Sequence, residues 1–320
     1  MTSTVMPYRI DTHFHFFPPA YLEPLAQWGK RVGFGGLLGP HRDWTKDKAL
    51  AAMDRNAVAT GVLSISTPGV YFGDHAEACA MARLCNEYAA AMARDHPGRF
   101  GLFAAMPMPD VDGTLAEIAY ALDVLKADGI GLMTSYGDTW PGDPRYAPVF
   151  EELDRRKAVV YFHPLAPDCC GATVPGVSAS PLEYPYDTAR AALSLLINGT
   201  FARHGNIRWL FSHAGAAIPV LAGRIANVVK HRKDVATIAP NGAEAMLQTL
   251  HYDTANSTTA PTMAALRAFV PATNILFGSD YPYFSFEENV EGIDALALTT
   301  AERRAIERDN ALRLLPRLGR

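Results

Sequence analysis

The sequence predicts one (β/α)8 TIM barrel with helical and loop insertions, spanning residues 1–320, and three observations carry that reading. Short apolar, β-branched runs alternate with longer amphipathic stretches. Eight such runs occur in 320 residues, and an α/β barrel commonly takes ~250 residues as one domain. The glycine fingerprint of a dinucleotide-binding open sheet is missing.

In order, strands are expected at residues 8–14 (YRIDTHF), 61–66 (GVLSIS), 100–106 (FGLFAAM) and 129–134 (GIGLMT). Four more are expected at 159–163 (VVYFH), 207–213 (IRWLFSH), 250–254 (LHYDT) and 275–280 (ILFGSD). Helical spacing predicts helices over 47–56, 75–95, 114–127, 147–156, 186–203, 219–233 and 262–270. Such alternation argues for parallel strands covered by helices. Residues 16–46, 135–145 and 164–185 read as long loops, the last holding Cys169 and Cys170. In a barrel, loops after strand C-termini build the site.

Composition narrows the function. Hydrophobic residues reach 49% and charged ones 19%, which excludes a disordered chain. A net charge of -4 builds no basic field, so no nucleic-acid partner is expected. Cys79 and Cys85 are six apart, and Cys169 adjoins Cys170; neither spacing suits a structural zinc site. No apolar run approaches the ~20 residues of a membrane span, and the N-terminus shows no signal-peptide pattern. A cytoplasmic protein with no membrane partner is expected.

The chemistry sits at strand ends. His13 and His15 alternate on one strand, so both rings face one way. His163, His213 and Asp280 each end an apolar run, where a polar group is costly unless paired or metal-bound. A closed barrel brings all five to one mouth. Imidazoles with a carboxylate suit a borderline divalent ion. Asp253 and Thr254 end the seventh run and are placed to support such ligands. His41 falls in a loop on the site side, whereas His251 starts its strand at the far end of the barrel. His75, His96, His204 and His231 read as helix-end residues, and Cys169 and Cys170 as loop packing.

These motifs resemble the amidohydrolase-related, metal-dependent decarboxylases, the group of aminocarboxymuconate-semialdehyde and γ-resorcylate decarboxylases. The resemblance runs nearly end to end. It rests on the N-terminal His-x-His, Trp44 before Met53-Asp54, Phe-His163-Pro, Ser-His213-Ala-Gly with Pro219 and Gly223-Arg224-Ile225, and Gly278-Ser-Asp280-Tyr-Pro. Its texture is closest to the 6-methylsalicylate decarboxylases, through SISTPGV, RFGLFAAMPMPD and LEYPYDTARAALSLL.

The resemblance implies His13, His15, His163 and Asp280 as metal ligands and His213 as the catalytic histidine. It implies that Arg224 enters a neighbouring subunit's site, hence a homodimer or a dimer of dimers. One divalent ion per subunit is expected, Zn²⁺ first and Mn²⁺ second, with no organic cofactor. Where a relative carries basic residues that grip a second carboxylate, residues 35–43 (GGLLGPHRD) offer only His41 and Arg42, so an aromatic monocarboxylate is expected. The expected reaction is non-oxidative loss of CO2 from a salicylate-type acid, with Asp280 as first and His213 as second proton donor. Phe16, Trp44, Tyr281 and Phe284 are candidate walls for the ring, Trp44 and Tyr281 foremost. The alternatives are a lactone or amide hydrolase on the same barrel, with His213 as base, and a binding protein that retains the scaffold.

Overall fold

The computed structural model describes residues 8–32, 38–170 and 174–319. Residues 35–37, part of the stretch that argued against a dicarboxylate, lie outside the described residues, as do residues 1–7 of the N-terminal reading. Eight strands form one sheet in sequence order. They are β1 Arg9–His15, β2 Val58–Ser64, β3 Phe100–Ala105, β4 Gly129–Met133, β5 Val159–His163, β6 Arg208–Phe211, β7 His251–Asp253 and β8 Ile275–Leu276. Every neighbouring pair is parallel. The last edge meets the first: Thr12 N–H donates to Phe277 O at 2.9 Å, Asp280 N–H to His13 O at 2.9 Å and His15 N–H to Tyr281 O at 2.8 Å. The expected barrel is the observed one.

Burial explains the strand sequences. β3 and β5 are buried along their whole length, as parallel strands between helices and a packed interior should be. One cluster combines Ile10, Val62, Phe103, Tyr161, Leu210 and Leu276 from six strands with Ala311, Leu314 and Leu315 from the C-terminal segment. That segment closes the end of the barrel opposite the site. Phe277 N–H donates to Ile306 O at 2.9 Å, and Arg9 pairs with the buried Glu307 at 2.9 Å. The register of β1 against β2 slips between Asp11 and Phe14, an irregularity of the kind that re-aims side chains at strand ends.

Several expectations need correction. Residues 16–46 are not one loop: they contain the helix Pro19–Arg31 and the short helix Gly39–Asp43. Tyr21, Leu25 and Gly29, four apart, give the first helix its buried stripe, but Pro18, Pro19 and Pro24 mask the pattern. The helix expected over 186–203 breaks at Gly199, whose φ of 69° ends Glu183–Ile197 before Thr200–Arg203 begins. Helices Phe286–Asp294, Thr300–Arg304 and Asn310–Leu314 follow β8 where none was assigned. Strands β6 and β8 stop at Phe211 and Leu276, short of His213 and Asp280. No described helix is long and apolar enough to cross a membrane.

Candidate active site

The five strand-end residues meet. His13 and His15 come from β1 and His163 from β5, while His213 and Asp280 lie on the turns after β6 and β8. Both turns are left-handed, with φ of 54° at His213 and 63° at Asp280. Gly278 permits the close approach of β8: a Cβ there would lie 2.9 Å from the His13 Cβ and 3.1 Å from the Asp253 Cβ.

Hydrogen bonds set the histidine tautomers. His13 Nδ1 lies 2.9 Å from Asp253 Oδ2, His15 Nδ1 3.0 Å from Ser64 O, and His163 Nδ1 2.8 Å from Pro164 O. Each partner is an acceptor, so each neutral ring carries its proton on Nδ1 and presents a lone pair at Nε2. His13 Nε2 and His15 Nε2 are 3.1 Å apart, and Asp280 Oδ1 lies 3.3 Å and 3.1 Å from them. The donor atoms of His13, His15, His163 and Asp280 all fall within 4.8 Å of one another. Asp280 Oδ1 is buried without a hydrogen-bond donor. Converging lone pairs repel unless a cation sits among them, and three nitrogens with one oxygen fit a divalent transition ion.

The electrostatics agree. Among the described residues, Asp253 and Asp280 form ion pairs with histidines alone, not with Lys or Arg. Burial disfavours charge on His13, but Asp253 and then Asp280 outweigh it and push its pKa up to about 10. Burial holds His15 below its ordinary value and His163 well below. For Asp280 burial works against the carboxylate, yet His13 and His15 hold it well below the usual range. The two carboxylates thus demand positive charge among the rings, supplied either by a second proton on His13 or by a cation that takes its place at Nε2.

His213 is the fourth ring. Its centroid is 4.8 Å from that of His13. Its backbone N–H donates to Asp253 Oδ1 at 2.9 Å, and its Nδ1 lies 2.9 Å from Ala255 O. Burial lowers its pKa, so the neutral ring carries its free lone pair on Nε2. Asp253 therefore supports the expectation made for it, by holding both His13 and the His213 backbone.

A cavity of about 2070 Å³ lies over the cluster, with His163, His213, Asp280, Tyr283 and Phe284 on its wall. Arg31 is the one arginine or lysine on the described wall. Trp44 and Tyr281 are not on that wall. Trp44 packs at the edge of Phe17, and Tyr281 stacks between Phe14 and Phe286 at 5.1 Å from each. Phe16 is likewise in the core, stacked on Tyr88. Arg224 is exposed on the helix Ile218–Val229 and does not touch the cavity of its own chain.

Two features escaped the sequence. Asp11 accepts from His13 N–H and Ser279 N–H and from the Ser279 hydroxyl, tying β1 to the turn that bears Asp280. Burial pushes its pKa up to about 7 against those hydrogen bonds. Tyr283 lies on the wall with its hydroxyl 2.8 Å from His41 Nε2. Its place three residues after Asp280 was the available signal.

The comparisons with known proteins follow the same line. A family model described as Amidohydrolase matches residues 10–317. Decarboxylase yanB of Aspergillus niger is 34% identical, over 97% of this chain and 88% of its own length. The 6-methylsalicylic acid decarboxylase acuB of Aspergillus aculeatus is 35% identical, over 98% of this chain and 97% of its own. The crystal structure of a dihydroxybenzoic acid decarboxylase from Polaromonas sp. JS666, with bound manganese and the inhibitor 2-nitroresorcinol, has a TM-score of 0.84 and 22% identity. It covers 98% of both chains and shares the fold. The barrel, its four converging donors and the full-length match together show that the chain belongs to the amidohydrolase family, among its metal-dependent aromatic acid decarboxylases.

Proposed function

We propose that this carboxy-lyase acts on a salicylate-type acid, 6-methylsalicylate first, releasing CO2 and 3-methylphenol. The observation that carries the reading is the convergence of His13, His15, His163 and Asp280 beneath a cavity with His213 on its wall. The full-length relative that acts on 6-methylsalicylic acid supports the choice of substrate. A single arginine on the described wall supports a monocarboxylate.

His13, His15, His163 and Asp280 would hold a divalent ion, Zn²⁺ first and Mn²⁺ second, which would supply Lewis acidity when bound. The rest falls to the chain. Direct loss of CO2 from a benzoate leaves an aryl anion without stabilisation, so the carboxylate-bearing ring carbon must be protonated first. Asp280 and His213 both lie on the cavity wall, and the substrate's own phenolic hydroxyl supplies the proton. Asp280 takes that proton and passes it to the ring carbon. The C–C bonding pair returns to the ring as CO2 departs, and solvent reprotonates the phenolate product. His213 Nε2 is the second group placed to carry the proton. Such a donor contributes about 10²–10⁴-fold. Arg224, exposed and off its own cavity wall, is assigned to the neighbouring subunit's site in a homodimer.

The test is metal analysis of the purified protein, followed by a panel of hydroxybenzoates scored by CO2 evolution. Bound metal with CO2 and 3-methylphenol from 6-methylsalicylate is expected. Lactone or amide cleavage without CO2 would replace this reading with the hydrolase.

A further inference from the structure

The Tyr283–His41 pair is not used by the chemistry above, and its hydrogen bonds have a fixed direction. The backbone N–H of Leu38 donates to His41 Nδ1 at 3.2 Å. A backbone N–H cannot accept, so His41 Nδ1 carries no proton and the neutral ring must carry it on Nε2. That Nε2 lies 2.8 Å from the Tyr283 oxygen, so the ring donates and the phenol accepts. A phenol has one proton of its own. With its oxygen receiving from His41, Tyr283 O–H is left to donate on the cavity side, where Ser66 is its side-chain neighbour on the same wall.

The surroundings say where. His41 is 1% exposed and sealed by Phe17, whose ring meets it edge-on at 4.6 Å and meets Tyr283 at 6.1 Å. Tyr283 is on the cavity wall, with its ring centroid 5.7 Å from that of His15. Its own N–H donates to Asp280 O at 2.9 Å, which holds the residue against the turn bearing the carboxylate ligand. The phenol therefore stands on the wall beside His15 and the turn bearing Asp280, within reach of an acid bound in the cavity.

We propose that Tyr283 is a substrate-binding residue that donates a hydrogen bond to an anionic oxygen of the acid, and that His41 is its positioning residue, locking it as a donor. The inference rests on the proposed function and deepens it, since it names the side chain that selects a ring acid with an acceptor oxygen beside the cluster. His41 acts through Tyr283 alone.

A double-mutant cycle on the metal-loaded protein tests this, read by equilibrium titration with salicylate and by KM and kcat on the acid that is turned over. Tyr283→Phe is expected to weaken salicylate binding about tenfold or more, the loss typical of a hydrogen bond to a charged group. His41→Ala is expected to weaken it less, because the freed phenol samples other directions. The double variant should bind no worse than Tyr283→Phe. His41→Gln, whose amide also donates to the phenol, should restore binding. Unchanged binding in Tyr283→Phe, or additive losses in the double variant, would overturn the proposal. Should His41→Ala not fold, the Gln variant decides: rescue supports the relay and a loss equal to that of Tyr283→Phe defeats it. Wild-type protein that binds no hydroxybenzoate defeats the functional reading, and this one with it. Wild-type binding that Tyr283→Phe leaves intact defeats this one alone.

Discussion

Asp253 Oδ2 lies 2.9 Å from His13 Nδ1, and this contact decides which nitrogen His13 offers to the cation site. Asp253→Asn places an amide where the carboxylate was. The amide donates to Nδ1, moves the ring proton to Nε2 and removes a ligand lone pair. Metal affinity is expected to fall about 10–100-fold, as for other lost supports of ligating histidines. Competition with a chromogenic chelator measures it, and wild-type affinity in the variant would count against the tautomer argument.

Asp280→Ala is expected to abolish turnover while the barrel still forms. The residue lies beyond β8, on a turn held by backbone bonds such as Asp280 N–H to His13 O at 2.9 Å, which an alanine keeps. Far-ultraviolet circular dichroism and CO2 release separate the two effects. Retained turnover would remove Asp280 from the chemistry.

Arg224→Ala should raise KM without lowering the melting temperature, because the side chain is exposed on the helix Ile218–Val229. Mixing it with the inactive Asp280→Asn chain is expected to restore activity. One of the two sites in the mixed dimer then combines an intact Asp280 with a partner arginine. No gain on mixing would place Arg224 outside the reaction.

The acid side of the stability profile has a source away from the site. Burial pushes the His251 pKa below its ordinary 6.5, with Nδ1 3.3 Å from Trp209 O. Between 6.5 and the lower folded value, the unfolded chain binds a proton that the folded chain refuses. Stability therefore rises with pH across that window: it is fully present above 6.5 and is lost as pH falls through it. The drop in melting temperature from neutral to mildly acid buffer should be smaller in His251→Gln than in the wild type.

Leu314 fills the closed end of the barrel and is 2% exposed. Leu314→Ala is expected to cost about 2–5 kcal/mol in denaturant titration, the range for large core deletions. A cost below about 1 kcal/mol would mean that the C-terminal segment does not seal the barrel.

The parts of this molecule that obey a period were legible in its sequence. β5 reads VVYFH in both accounts because a strand buried on both faces must be apolar until it reaches its functional end. The convergence of His13, His15, His163, His213 and Asp280 was legible for the same reason, as polar groups closing apolar runs. The helix Pro19–Arg31 was not, because Pro18 and Pro19 open it and Pro24 interrupts its stripe. Asp11 was overlooked since its work is on backbone N–H groups, which leave no mark in composition. Tyr283 and His41 are 242 residues apart, and only closure of the barrel brings the turn after β8 to the short helix Gly39–Asp43. Trp44 and Tyr281 show the reverse, since aromatic residues near a site most often fill the core around it.

The left-handed backbone at His213 and Asp280 also bears on how long the folded chain endures. A side chain in that region costs of order 1–2 kcal/mol that glycine does not. Both turns suit glycine, yet they hold the two residues to which the proposed reaction is assigned. A chain selected for heat resistance alone would thus drift toward glycine at both positions and, on the proposed function, give up its chemistry for endurance.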